Sequence, residues 1–578
     1  MNEKALLLGG PAESLALARL EKILAFLGVE SVRMNVAEFL SPAGGEPVGV
    51  LCPAATFLEL AAALEKNSGA AKKIRSAFVF GGDDAAALQK LARQITGDAA
   101  AAVTEINQKG EWNVTDKLPE FCRAMSGVNA AAKNDGERAL VFGGTKSKAE
   151  KIISANDGTA FARFDFHSVP VFVSTAEIID LAAPLSARVF DVRAHFLASV
   201  PVVMYVKWAF AATCWQPAET CACLVIDDPL LRPRYGFLNF EKFLRVMEQV
   251  NFSTSIAFIP WNWNRNSRRT VRLFQENPGR YSLSVHGCDH TGGEYGDRSV
   301  SRLSWRSKLA MERMARHQKK TGLAHDRVMV FPQGVFSAAA MTALKHNDFI
   351  GTVNSEVFSA DAPPPPISVG DYWNPAVMNF SDFPIFTRRY PWAGAENFAF
   401  DILLGKPCLV VVHQNDCHDD YRHVTGCIAR LNQLNARLRW TNLAEVVRRS
   451  FRQREISPGV VAVEIFGSEA RLENLSATKK MFRVFKREAD PKNIQSVRGD
   501  GREIKWTAKE KGFSFEIGLN PGENRTLSVA FKALPGDGYA GEGFVYQMKT
   551  LCRRHLCEAR DNYLLRKKVF AVGEKCKP

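Results

Sequence analysis

The sequence predicts an α/β protein of several domains: a doubly wound N-terminal domain, a parallel α/β core that carries the chemistry, and a C-terminal β-sandwich. Three observations carry that reading. In the first part of the chain, apolar strand-like runs alternate with helix-like stretches, and the runs end in paired glycines. Further on, three apolar runs end in Asp227-Asp228, in Pro332-Gln333-Gly334 and in His413, at helix-sized intervals. Beyond Ser457 the pattern changes to short alternating strands separated by turn residues.

At 578 residues the chain is too long for one hydrophobic core. Residues 4–8 read as a strand ending in Gly9-Gly10. Ser14 is placed to cap a helix whose apolar face is Leu17, Leu20, Leu24 and Leu27, stopped by Gly28. Residues 76–80 form a strand ending in Gly81-Gly82, and Asp83 or Asp84 caps the helix that runs to Ile95. A third strand, 139–142, ends in Gly143-Gly144. This gives a doubly wound domain over residues 1–144, whose glycine corners either cradle an anion at a helix start or are plain turns. A class I amidotransferase is excluded, because neither Cys52 nor Cys122 has a nucleophile-elbow setting. Residues 145–215 read as a connector. Its apolar stretch 194–208 carries His195 and Lys207, so it reads as a buried or interfacial helix and not as a membrane span.

The core, residues 216–453, holds the chemistry. Leu224-Val225-Ile226 is a short buried strand, cut off by Pro229, that delivers Asp227 and Asp228 at its C-terminal end. About sixty residues later His286 and His290 stand four positions apart, close enough to share one side of a turn. One carboxylate and two imidazoles make a three-ligand site for a divalent metal with open positions, and the second carboxylate is free to act as a base. An iron oxygenase uses the same ligand types, but its jelly-roll pattern is absent. The loop 260–266 brings Trp261, Trp263 and Asn264, which suit the apolar face and hydroxyls of a sugar ring or pack as a loop. Segment 361–392 is long, proline-rich and aromatic, as in a structured lid or partner surface.

These residues resemble the polysaccharide deacetylase family, carbohydrate esterase family four, over residues 220 to 450. The resemblance implies a distorted (β/α) barrel with a His-His-Asp metal site. It casts Asp227 as catalytic base, Asp228, His286 and His290 as metal ligands, and His413, in Val411-Val412-His413, as general acid. Val330-Phe331-Pro332-Gln333-Gly334 meets the family's third motif in part, and through it the Gln333 backbone amide is expected to help hold an oxyanion. Two departures stand out. Val330 occupies the place of an arginine that pairs with the base, and Gln333 that of an aromatic. The family's fourth motif has no copy, its neighbourhood being Thr352-Val353-Asn354-Ser355. Without that arginine the base is expected to be less firmly oriented.

Residues 454–536 read as the β-sandwich, with strands at 460–465, 481–485, 504–506, 513–517 and 526–531. Residues 537–578 read as a basic helical tail through Arg553, Arg554, Arg560, Arg566, Lys567 and Lys568, either a docking segment or a solvated helix. The formal charge is +14, and from Phe451 to the end 25 Lys and Arg face 16 Asp and Glu. That balance suits an anionic polymer or surface as partner, with no nucleic-acid module and no transmembrane segment in the sequence. The start lacks the apolar core of a signal peptide, and the 12 cysteines follow no disulfide framework, so reduced thiols and a cytoplasmic setting are expected. The functional expectation is a hydrolase that uses zinc, with cobalt, manganese or nickel as alternatives, to remove an N-acyl group from an amino sugar. A glycoside hydrolase and a non-catalytic carbohydrate- or partner-binding protein are the competing readings.

Overall fold

The computed structural model describes residues 4–564 apart from 42–46, 83, 107–110, 132–136, 144–148, 157 and 535–538. Asp83, Gly144, Arg566, Lys567 and Lys568, singled out above, lie outside the described residues.

Four parallel strands open the chain: β1 (Ala5–Leu8), β2 (Ser31–Met34), β3 (Val48–Pro53) and β4 (Ile74–Phe80), in the order β2-β1-β3-β4. Helix Ser14–Leu27 buries Leu17, Leu20, Leu24 and Leu27, and Gly28 ends it at φ 83°, a left-handed turn that glycine adopts without cost. Asp84 caps the helix Ala85–Thr96 by accepting from the Ala87 N–H at 2.8 Å.

The doubly wound reading fails beyond β4. Val169–Ser174 joins β4 in parallel, but Gly158–Phe166 and Glu150–Ala155 follow antiparallel, and Arg138–Val141 is also antiparallel. The result is a mixed sheet of eleven strands, and residues 150–174, expected to be connector, help complete it. The hairpin turn that redirects the chain is His167-Ser168, both at positive φ (48° and 66°). Neither residue belongs to the Asn-Gly type that announces such a turn in a sequence. Helix Phe196–Ala209 is buried along almost its whole length, which fits a composition that is apolar all round apart from Ser199 and Lys207.

Seven parallel strands then follow: β5 (Thr220–Asp227), β6 (Thr254–Phe258), β7 (Tyr281–His286), β8 (Asp326–Val330), β9 (Gly351–Asn354), β10 (Ile385–Thr387) and β11 (Cys408–His413). From β5 to β10 each pairs with the next, and β11 returns to lie beside β5. A parallel bridge from Arg389 to Val410 brings the two ends of the sheet together. Asp227 stands opposite both Ala257 and His413, so the C-terminal ends of β5 and β11 share one rim. Segment 361–392 is not a lid. Tyr372, Trp373, Val377, Phe380 and Phe383 are buried, and the segment supplies β10. Its aromatic content is core packing.

One buried histidine sets an acid limit on this core. His317, on helix Val300–Thr321, is 0% exposed, packs against the Phe258 ring at 5.0 Å, and has no hydrogen-bond partner on either ring nitrogen. Burial lowers its pKa to about 4. The folded state therefore binds fewer protons than the unfolded chain between the ordinary imidazole range and pH 4, so stability falls as the pH drops through that window. The full loss is on the order of 3 kcal/mol. His317→Leu should flatten this part of the stability–pH curve in denaturant unfolding, and an unchanged slope would refute the assignment.

Toward the C-terminus a six-stranded sheet, including Val460–Ile465, Lys480–Arg487 and Gly512–Leu519, shares a core with a four-stranded one built on Glu469–Glu473, Ile494–Gly499 and Asn524–Phe531. Residues 504–506, expected as a strand, lie between the short strands Arg502–Glu503 and Thr507–Lys509. The tail forms helix Phe544–Ala559, continued by a turn through Leu564, and packs back on the core rather than standing in solvent. Glu542, just before it, pairs with Arg302 and Arg306 at 2.8 Å, and the Tyr235 hydroxyl donates to Asp561 at 2.9 Å. Among the described residues no helix is long and apolar enough to cross a membrane.

Candidate metal centre

A cleft of about 390 Å³ opens on the rim where β5, β7 and β11 end, and Asp227, Asp228, His286, His290, Gln333 and His413 line it. Three of them offer ligand atoms within 4.8 Å of one another: Asp228, His286 and His290. Asp228 Oδ1 lies 3.0 Å from His290 Nε2 and 3.4 Å from His286 Nε2, yet it is a buried oxygen without a hydrogen-bond partner. Three donor atoms that converge without bonding one another fit a divalent cation, and two imidazoles with one carboxylate are an ordinary zinc set.

Local backbone makes this convergence possible. Asp228 has φ 81°, His290 φ 56° and Gln333 φ 57°, all left-handed and all non-glycine, a cost that clusters at functional sites. His286 Nδ1 is 2.9 Å from the Val330 carbonyl, which can only accept, so Nδ1 carries the proton and Nε2 is free toward Asp228. The loop to His290 is gathered by a residue the sequence reading passed over. The Glu294 carboxylate accepts from the N–H groups of Cys288, Asp289, His290 and Thr291 at 2.8 to 3.3 Å. Cys288 is buried beside Arg313 Nη1 at 3.2 Å and takes no part in the ligand set.

Asp227 is turned the other way. It is 3% exposed and meets Arg388 in a bidentate pair, Nη1 to Oδ1 at 2.7 Å and Nη2 to Oδ2 at 2.6 Å. Arg388 follows β10 and also donates to Ser355 Oγ at 3.2 Å. The expectation of a loosely oriented base is therefore wrong: the guanidinium that Val330 lacks comes from a strand two positions further around the sheet. Burial pushes the Asp227 carboxyl up, but Arg388 and His286 outweigh it and hold the group below the usual range. Burial likewise opposes ionisation of Asp228, and His290 and His286 hold it well below that range. Burial lowers the His286 imidazole while Asp227 and Asp228 raise it, and the carboxylates prevail.

His413 faces Asp227 from β11, with Nε2 4.0 Å from Asp227 Oδ2 and its side chain 41% exposed. Its backbone N–H donates to Asp416 at 2.7 Å, and Tyr390 stacks on its ring at 6.3 Å. Gln333 and Gly334 line the cleft, and Asn354 steadies that turn by donating to the Gly334 carbonyl at 2.8 Å. Of the expected sugar-contact residues, Trp261, Trp263 and Asn264, none lines the cleft. Trp261 packs under Arg265 at 5.4 Å, Trp263 meets Lys320 at 6.0 Å, and Asn264 faces solvent. The short turn Pro260–Asn262 rotates the loop so that Asn262 and Arg265 reach the cleft instead.

No family model and no curated protein matches this chain by sequence. Solved structures do resemble part of it. A putative polysaccharide deacetylase from Mycobacterium smegmatis matches at 12% identity and a TM-score of 0.28, over 39% of this chain and 90% of that one. A family 4 carbohydrate esterase from Streptomyces lividans, solved with acetate, matches at 11% identity and a TM-score of 0.23, over 38% and 88%. A mutant of a pseudoenzyme of the same family, with restored enzymatic activity, matches at 11% identity and 0.25, over 39% and 66%.

Proposed function

We propose that this protein is a metal-dependent hydrolase that removes an N-acyl group from an amino sugar. One observation carries the proposal: an open Asp-His-His cluster with a separate carboxylate, Asp227, fixed beside it by Arg388 and faced by His413. Asp228, His286 and His290 would hold a zinc-like ion, which when bound supplies Lewis-acid polarisation of an amide carbonyl and acidifies water. Asp227, ionised by its arginine, takes the proton of the attacking water. His413, exposed enough to reach a leaving group, gives a proton to the departing amine. The Gln333 backbone amide, on the turn that lines the cleft, would help hold the developing oxyanion.

A glycoside hydrolase fits less well, since it needs one carboxyl kept protonated. Of the cleft's five carboxylates, Asp227, Glu356, Glu558 and Asp561 are ion-paired, with Arg388, Arg188, Arg265 and Arg560, and Asp228 faces His286 and His290.

Elemental analysis and hydrolysis of an N-acetylated oligosaccharide by the full chain test the assignment. His286→Ala and His290→Ala should lose most of the metal and the activity together. His413→Ala should keep the metal and lose about 10²-fold in rate or more. Unchanged metal in both ligand variants would overturn the metal centre, and loss of metal in His413→Ala would make that residue a ligand.

A further inference from the structure

The C-terminal helix Phe544–Ala559 walls the cleft with Arg553, Arg554, Cys557 and Glu558, and the turn beyond it adds Arg560 and Asp561. Most charges there cancel. Glu558 takes Arg265 at 2.5 Å and Arg232 at 2.7 Å, Asp561 takes Arg560 at 2.8 Å, and Asp227 takes Arg388. Two guanidiniums are left over. Arg554 is only 7% exposed, and its Nη2 reaches just His290 Nδ1 and the His290 carbonyl at 3.3 Å and Cys557 Sγ at 3.7 Å. Its Nε is buried without a partner, as is that of Arg553, and neither pairs with a carboxylate among the described residues. An arginine cannot shed its charge, and a buried charge without a counter-charge is costly. A cation at Asp228, His286 and His290 would take up the one carboxylate of the lining that has no arginine partner.

We propose that Arg554, with Arg553, forms an anion subsite in this cleft that takes a carboxylate or phosphoryl group carried by the amino sugar. The proposal rests on the hydrolase reading for the sugar and names its class. Arg554 meets His290 at Nδ1, the ring nitrogen remote from Asp228, whereas Nε2 is the one facing that carboxylate. It therefore stands about one imidazole away from the ligand cluster, where it would meet a substituent of the sugar rather than the acyl group. The planar fork of a guanidinium suits a two-oxygen partner of either kind.

Titration calorimetry on the zinc-loaded full chain tests this without requiring turnover. The probes are N-acetylglucosamine 6-phosphate, N-acetylmuramic acid and neutral N-acetylglucosamine. At least one acidic sugar should bind about tenfold or more tighter than the neutral one, the scale of a charge-assisted contact. Arg554→Gln should bring that ratio close to one, and Arg554→Lys should restore part of it. Whichever acidic sugar binds tighter identifies carboxylate or phosphoryl as the source. Arg553→Gln, which makes no hydrogen bond to a ligand residue, should lower the ratio in the same direction and serves if Arg554→Gln loses zinc. Equal affinities in the wild type, or a preference that survives both substitutions, would overturn the subsite. Absence of bound zinc or of hydrolysis of the neutral N-acetyl substrate would instead count against the hydrolase reading, leaving the binding ratio as a separate result.

Discussion

Asp228→Asn should strip the protein of metal, whereas Asp227→Asn should keep the metal and lose hydrolysis by roughly 10²- to 10⁴-fold, the range for removal of a general base. The two residues are adjacent, but the backbone separates their tasks. Asp227 ends β5 in extended register opposite Ala257 and His413, while Asp228 turns to φ 81° and aims its carboxylate at His286 and His290. Asparagine keeps the shape of both side chains, so a difference between the variants reports charge and role rather than packing. If the pair were only a turn and a helix cap, either change would cost about 1 kcal/mol and leave the metal in place. Metal analysis and amide hydrolysis on both variants separate these outcomes. Reversed roles would mean that the register of base and ligand is off by one residue.

The parts of this centre that were legible in the sequence are the ones written locally. A strand that ends in two aspartates, two histidines four apart and a strand that ends in His413 each declare themselves within a few residues, and the parallel pairing of β5 with β6 and β11 gathers their ends. What could not be read is what the chain supplies from afar. Arg388 lies 161 residues from its partner Asp227, and Arg554 lies 264 residues from His290. Nothing near either arginine marks it, since one sits in an aromatic segment and the other in a basic helix. Trp261 and Trp263 illustrate the converse. Residue type suggested a sugar platform, but side-chain direction depends on the 3₁₀ turn that precedes them. The mixed sheet of the N-terminal region was missed for a third reason, because the hairpin that joins Gly158–Phe166 to Val169–Ser174 turns on His167-Ser168, which carry no turn signature.

Replacing Arg388 should be the most destabilising single change at the site. Arg388→Met leaves the Asp227 carboxylate buried without its counter-charge, and breaking a buried pair from one side costs about 3–5 kcal/mol. Arg388→Lys should recover part of that loss, since an ammonium restores the charge but not the two parallel hydrogen bonds. The double variant Asp227→Leu with Arg388→Met should regain most of the stability, because an apolar pair removes both charges together. It should remain inactive while still binding metal through Asp228, His286 and His290. Denaturant unfolding, metal analysis and hydrolysis on the three variants distinguish a charge effect from lost packing. If Arg388 mattered only as volume, methionine would be tolerated as well as lysine, and the double variant would be the least stable of the three. Recovery in the double variant would show that Arg388 acts as the counter-charge of Asp227 and not as packing volume.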